Sequence, residues 1–212
     1  MIANMTVGMI QEHTYFFIDD KTKHGFIVDP GEEGERILKY IKQEGFVIEK
    51  ILITHGHFDH IGAVSYLKEA LNVPVVIHTE GEKYLEDASL NLSGSFTGGF
   101  TLQADEYVNE GDEIVLAANP EMKLSVIHVP GHTLDGVAFY AAKEGVAFVG
   151  DIIFEGAVGR SDFPGGNGAL LLQGIREKIF TLPDETVLCP GHGDTTTVGR
   201  EKATNPYFNM DI

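Results

Sequence analysis

Apolar and polar positions along this chain alternate between a period near two and a period near 3.6, and the switches between them outline the elements. Runs rich in β-formers at residues 5–10, 13–18 and 26–29 predict three strands, with 19–25 as a hairpin turn between the last two. Asp29-Pro30-Gly31 ends the third strand. Residues 32–44 place Ile37, Leu38 and Ile41 on one helical face and stop at Gly45. A strand of buried type, 48–54, follows. Residues 61–71 carry Ile61, Val64, Leu67 and Leu71 at helical spacing, and 73–77 read as a further strand. Residues 80–110 show no sustained period; Gly94, Gly98 and Gly99 punctuate them, so an irregular surface excursion is expected there.

The second half repeats this order. Strand patterns at 113–117, 124–129, 136–141 and 146–149 come first, with Lys143-Glu144-Gly145 turning the last pair. A glycine-rich loop at 156–168, a helix near 169–181, a core strand at 186–189 and a short helix near 198–204 complete the chain. Strands followed by helices, twice over, predict an α/β fold in which two mixed β-sheets stack face to face with helices outside, a four-layer αββα sandwich. No low-complexity linker divides residues 1–212, and we expect a single domain.

Composition narrows the partners. With 32 acidic against 15 basic residues the formal charge is −17, which argues against nucleic acid, since phosphate binding needs a basic surface. No apolar run approaches the ~20 residues of a membrane span, so no membrane partner is expected. The N-terminal residues lack the basic region and apolar core of an export signal, and a cytoplasmic location is the expectation. Cys189 is the one cysteine, so no intrachain disulfide can form; we read it as a small buried apolar residue.

The chemistry concentrates in Thr54-His55-Gly56-His57-Phe58-Asp59-His60, directly after the apolar Ile51-Leu52-Ile53. Imidazoles and a carboxylate are ligands that Zn²⁺ and Fe²⁺ favour, and crowding them at one strand end is costly unless a cation binds. Three further candidates also follow apolar strands: His132 after Val129-Pro130-Gly131, Asp151 after Gly150, and His192 after Pro190-Gly191. Strands ending at one rim would bring these together, with the glycines permitting close backbone approach. His13, His24, His78 and His128 lack this context and read as ordinary surface or core histidines.

Residues 55–60 fit the pattern His-x-His-x-Asp-His, and the chain resembles the metallo-β-lactamase-fold hydrolase superfamily from Asp29-Pro30-Gly31 through Pro190-Gly191-His192. The resemblance implies two divalent metal ions, zinc first and iron or manganese as alternatives. It implies that His55, His57 and His132 hold one, that Asp59, His60 and His192 hold the other, and that Asp151 bridges them with a hydroxide. Asp59 and Asp151 are then the catalytic carboxylates, and Asp29 supports the cluster from behind. Water bound to such metals ionises near neutral pH, so no serine or cysteine nucleophile is needed.

A bridging Asp151 and the missing export signal set the chain apart from true β-lactamases. The stretches Gly156–Gly166 and Arg200–Tyr207 are similar to short glyoxalase II-like proteins, the hydroxyacylglutathione hydrolase group. The resemblance therefore implies hydrolysis of a small-molecule thioester such as S-lactoylglutathione, whose leaving thiolate, of pKa about 8.5, hardly needs a general acid. Arg160 is the candidate substrate-binding residue, with pairing to Asp162 as its purely architectural alternative. Typical glyoxalase II enzymes carry a C-terminal helical extension with basic glutathione contacts. This chain ends about twenty residues after His192, so those contacts are expected to be absent and another thiol carrier becomes an alternative. The Gly159–Phe163 loop and Glu177–Pro183 also resemble persulfide dioxygenases, in which residues matching His55, His132 and Asp151 hold a single iron acting on glutathione persulfide. A non-enzymatic flavo-diiron scaffold is disfavoured, because that class replaces the histidine at position 57 with a carboxylate.

Overall fold

Alternation along the strands decides which face each residue buries. In the strand Glu12–Ile18, Tyr15 and Phe17 join one apolar cluster while Phe16 and Ile18 join another; Phe26 and Val28 alternate with Ile27 in the same way. The computed structural model describes residues 1–209. Its first six strands are β1 (Ile2–Val7), β2 (Glu12–Ile18), β3 (His24–Val28), β4 (Val47–Leu52), β5 (Val75–His78) and β6 (Glu106–Val108), and they form one mixed sheet in that order. β1, β2 and β3 pair antiparallel, and β3 through β6 pair parallel. The second mixed sheet has the order β14-β13-β10-β9-β8-β7, from β7 (Glu113–Leu116), β8 (Asn119–His128), β9 (Val137–Ala141), β10 (Val146–Gly150), β13 (Val187–Pro190) and β14 (Thr196–Thr197). A two-stranded ribbon, β11 (Ile153–Phe154) and β12 (Ala157–Val158), lies between β10 and β13 in sequence.

Three apolar layers follow. Tyr15, Phe17, Val28 and Leu52 of the first sheet meet Leu124, Phe139, Phe148 and Cys189 of the second. Helices α1 (Gly34–Glu44) and α3 (Val64–Leu71) cover the outer face of the first sheet through Ile37, Ile41, Val64 and Leu67. Leu171 and Ile175 of α6 (Gly168–Glu177) and Val198 of α7 (Val198–Thr204) cover the other. This is the αββα sandwich anticipated from the pattern. Phe148 is its central wedge, with ring centroids 5.4 Å from Tyr15 and 5.7 Å from Phe17. Truncating it to alanine should cost about 3–5 kcal/mol through lost burial and the cavity left behind.

Several boundaries differ from the sequence expectation for local reasons. The first strand is Ile2–Val7 rather than 5–10, because Gly8 and Gln11 take left-handed backbone angles and turn the chain, leaving Met9 and Ile10 exposed at the tip. The segment 80–110 is more ordered than expected. It holds α4 (Glu82–Glu86), α5 (Ser93–Phe96) and the edge strand β6. Such one-turn helices are too short to show a period. The helix expected over 61–71 is split into α2 (Phe58–Ile61) and α3, and Ala63 at the break donates its amide to the Pro30 carbonyl. The helix expected to 181 stops at Glu177 and ends in a single 3₁₀ turn, Ile179–Thr181. Among the described residues no helix is long and apolar enough to cross a membrane.

Candidate metal centre

Five strands end at one rim and deliver the candidate ligands there. Asp29 follows β3, residues 54–60 follow β4, His132 follows β8, Asp151 follows β10 and His192 follows β13. Two glycines make the approach feasible. A Cβ on Gly191 would lie 2.5 Å from the His60 ring and 2.6 Å from Asp151 Oδ1, and one on Gly150, whose φ is +48°, would lie 2.3 Å from Thr54 Oγ1. Asp59 sits in the first turn of α2 without capping it; its carboxylate faces His192 instead.

The outer contacts of the histidines fix which nitrogens face inward. His132 Nδ1 donates to the Arg160 carbonyl at 2.7 Å, and a carbonyl can only accept, so in the neutral, metal-binding form of the ring Nε2 carries the lone pair. His55 Nδ1 lies 3.2 Å from Thr54 Oγ1, whose own proton goes to Asp29, so His55 Nε2 is also a lone pair. Both converge on His57 Nδ1, at 3.1 Å from His55 and 3.0 Å from His132. Burial, with His132 and His60 adding to it, pushes His57 down to about 3 and holds His55 well below the ordinary range, so both rings are neutral at pH 7. Neutral imidazoles are the form that binds metal.

A second group lies alongside. His192 Nε2 is 3.1 Å and His60 Nε2 3.5 Å from Asp59 Oδ2. Asp151 stands between the groups, with its carboxylate oxygens 3.4 Å from His60 Nε2, 3.6 Å from His132 Nε2 and 3.8 Å from His192 Nε2. Burial opposes ionisation of Asp151, but His60, His132 and His192 outweigh it and hold the carboxyl below its usual range. His60 Nε2 is buried, has no hydrogen-bond partner and is flanked by two carboxylates. Nδ1 of that ring donates to Asp29, and although burial opposes it the facing Asp59 and Asp151 carboxylates raise the ring well above its ordinary range, so the position at Nε2 calls for positive charge, a proton on the ring or a metal ion in its place. The donor set therefore fits divalent metal. The two triads His55/His57/His132 and Asp59/His60/His192 each converge closely enough to hold an ion.

Asp29 backs this arrangement. Its carboxylate accepts from the Thr54 amide at 2.7 Å, from Thr54 Oγ1 at 2.5 Å and from His60 Nδ1 at 3.0 Å. Two further buried carboxylates escaped the sequence reading. Glu12 accepts from Thr14 Oγ1 and places its unpartnered Oε1 3.9 Å from His60 Nδ1. Asp135 accepts from the Gly56 amide at 2.8 Å and so ties down the loop between His55 and His57. Neither gave a local signal: Glu12 opens β2 among the polar residues Gln11, His13 and Thr14, and Asp135 lies in a turn next to a glycine.

A cavity of about 270 Å³ opens over the cluster, bounded by Ile10, Phe58, Phe96, Arg160, Phe163 and His192 among others. The Arg160 guanidinium is bidentate to Asp162, at 2.7 and 2.8 Å, and lies 3.9 Å over the Phe163 ring. The remaining histidines stay outside the cluster. His13 contacts the Gly193 carbonyl, His24 pairs with Glu49, and His78 stacks on His128 at 3.9 Å. Cys189 is buried between the sheets.

Comparison with known proteins agrees with this geometry. Residues 10–192 match the family model of the metallo-beta-lactamase superfamily. The chain is 41% identical over 206 residues to the probable metallo-hydrolase YqgX of Bacillus subtilis, covering 97% of this chain and 96% of that one. It is 34% identical over 211 residues to the hydroxyacylglutathione hydrolase GloC of Haemophilus influenzae, covering 98% of each. Among solved structures, the BLEG-1 B3 metallo-beta-lactamase superposes with a TM-score of 0.93 at 37% identity, over 99% of this chain and 100% of that one. That likeness runs against the sequence argument that placed β-lactamases at a distance. TTHA1623 in a di-iron-bound form gives 0.84 at 34% identity, over 97% and 99%. Sequence, fold and clustered ligands together make this chain a member of the metallo-beta-lactamase superfamily.

Proposed function

We propose that the protein is a dinuclear metal-dependent hydrolase of small-molecule thioesters, S-lactoylglutathione or a related acyl thiol. The observation that carries this reading is the position of Asp151, within 3.4–3.8 Å of His60, His132 and His192 and so between two ligand triads. In this reading His55, His57 and His132 would hold one ion and Asp59, His60 and His192 the other, with Asp151 placed to serve both. Zinc suits this nitrogen and oxygen set, and iron and manganese suit it too; the di-iron form of TTHA1623 supports a two-metal site. Likeness to GloC supports the thioester.

When bound, two such ions supply water ionised at neutral pH and a Lewis acid for the thioester carbonyl. The chain's own residues supply the rest. Asp29 and the Arg160 carbonyl hold His60 and His132 in the tautomers that present Nε2 to the centre. Asp59 and Asp151 line the cavity and are the carboxylates placed to take a proton from attacking water. A thiolate leaves without needing that proton back. Arg160 bounds the cavity, and with its fork occupied by Asp162 we assign it to shaping the substrate site.

The rival reading, persulfide oxidation at a single iron, needs only His55, His132 and Asp151; the convergent Asp59/His60/His192 triad favours hydrolysis. The test is metal content by elemental analysis beside three assays: S-lactoylglutathione hydrolysis, oxygen uptake with glutathione persulfide, and β-lactam hydrolysis. Two metals per chain with thioester cleavage as the fastest reaction supports the proposal. One iron with persulfide-dependent oxygen uptake, or faster β-lactam cleavage, overturns it.

A further inference from the structure

We propose that the groove above the metal cluster receives a flat apolar substituent of the substrate, an aryl or arylalkyl acyl group, seated against Phe58 and Phe96. This deepens the thioester reading and rests on it. Phe58 and Phe96 are stacked with ring centroids 5.1 Å apart and planes 9° from parallel. Phe58 is buried, whereas Phe96 is 61% exposed, so its outer face is open. Ile10, 49% exposed at the tip of the β1–β2 turn, and Leu92 extend the same wall, and Phe163 stands opposite with its ring 5.9 Å from that of His57. Exposed aromatic and aliphatic surface beside a reactive centre is costly to leave in water and is relieved when an apolar ligand covers it.

The wall is fixed before any ligand arrives. The Phe58 amide donates to the Asn91 carbonyl at 2.8 Å, and the Asn91 side chain is tied to Ser93 and Phe100. Those bonds hold Leu92 in a left-handed backbone conformation, φ +66°, that its side chain disfavours. A groove ordered in advance binds at little further entropic cost. Its size is adequate. The cavity, the space directly over the metal ligands included, is about 270 Å³, and about 150 Å³ suffices for a benzene ring.

Charge points the same way. Among the described residues Arg160 is the one lysine or arginine lining the cavity, and its charge is paired with Asp162 through Nε and Nη2. A thiol carrier with two free carboxylates finds no unpaired cation there, while an uncharged carrier loses nothing.

The experiment uses the metal-loaded protein and acetyl, butyryl and phenylacetyl thioesters of one neutral thiol, N-acetylcysteamine. We expect kcat/KM for phenylacetyl to exceed that for acetyl by about tenfold or more, the scale on which apolar pockets discriminate. Phe96→Ala and the milder Phe96→Leu should each shrink that ratio, the first at least fivefold, with circular dichroism unchanged. A ratio near one, a ratio that neither variant moves, or faster turnover of S-lactoylglutathione than of the phenylacetyl thioester overturns the proposal. If no thioester is cleaved, it is the hydrolase reading that fails. The groove is then judged by calorimetry with the inert phenacyl and methyl thioethers of the same thiol. Tighter phenacyl binding that Phe96→Ala abolishes upholds the apolar site, and equal binding removes it.

Discussion

His60 Nδ1 donates to Asp29 Oδ2 across 3.0 Å, and the opposite nitrogen of the same ring is the buried, unpartnered Nε2 that faces Asp59 and Asp151. One contact thus sets both the orientation and the tautomer of a ligand contributed by a different strand connection. Asp29 can do this because it sits just past β3 in a left-handed conformation, with Thr54 holding both its carboxylate oxygens.

Replacing Asp29 should therefore loosen metal without removing a ligand. We expect Asp29→Ala to lower the affinity of the Asp59/His60/His192 triad by about 10–100-fold. Asp29→Asn, which keeps the size but presents a weaker acceptor, should fall between it and the parent. Competition against a chromophoric chelator reads this directly. Unchanged affinity in both variants would remove Asp29 from the metal site.

Asp151 is the stricter test of the two-metal arrangement. Asp151→Asn keeps the volume and removes the charge that His60, His132 and His192 surround. The expected outcome is loss of at least one metal per chain by elemental analysis and at least a hundredfold drop in kcat, with the circular dichroism spectrum retained. Parent-like turnover at full metal content would mean the carboxylate bridges nothing.

How much of this was legible beforehand depended on how local the signal was. The 55–60 run declares itself, because four potential ligands, three histidines and an aspartate, share one strand exit and no ordinary packing asks for that. His132, Asp151 and His192 were legible through the apolar strands before them, which fixed the rim they would share. Phe96 was not: it lies on a one-turn helix in a segment without period, and its pairing with Phe58 comes from a fold-back across more than thirty residues. Met9 and Ile10 misled the strand assignment, since they continue an apolar run although Gly8 and Gln11 have already turned the chain. Glu12 acts through the segment that follows β4, two strands away in its own sheet, and Asp135 through a contact that exists only once both sheets are assembled.

Cys189 gives a clean negative. It packs between the sheets, and burial pushes its thiol up to about 12. A thiol so raised carries almost no thiolate at pH 7.5. Iodoacetamide should leave the native protein unlabelled over hours yet modify one site per chain in denaturant, by intact mass. Rapid native labelling accompanied by loss of activity would restore a catalytic role for the thiol.

Asp135 predicts a pH dependence whose sign can be worked out. Burial pushes its carboxyl up to about 6 from an ordinary 3.8, with the Gly56 amide partly offsetting the shift. Between roughly pH 4 and 6 the folded chain keeps a proton that the unfolded chain has released, so this group's contribution to stability falls as pH rises through that window. Above it the full penalty persists, of order 3 kcal/mol for about two pK units. Asn at this position still offers an oxygen to Gly56 but never ionises. Its amide nitrogen would take the place of Oδ1, which has no partner, and that cost is the same at every pH. The readout is therefore a slope and not an absolute value. In urea titrations of the metal-free chain, the stability of Asp135→Asn relative to the parent should climb by about 1–3 kcal/mol from pH 4 to pH 7.5. A flat difference would show that the carboxylate holding the loop between His55 and His57 is already ionised at pH 4, and that its hydrogen bonds outweigh its burial.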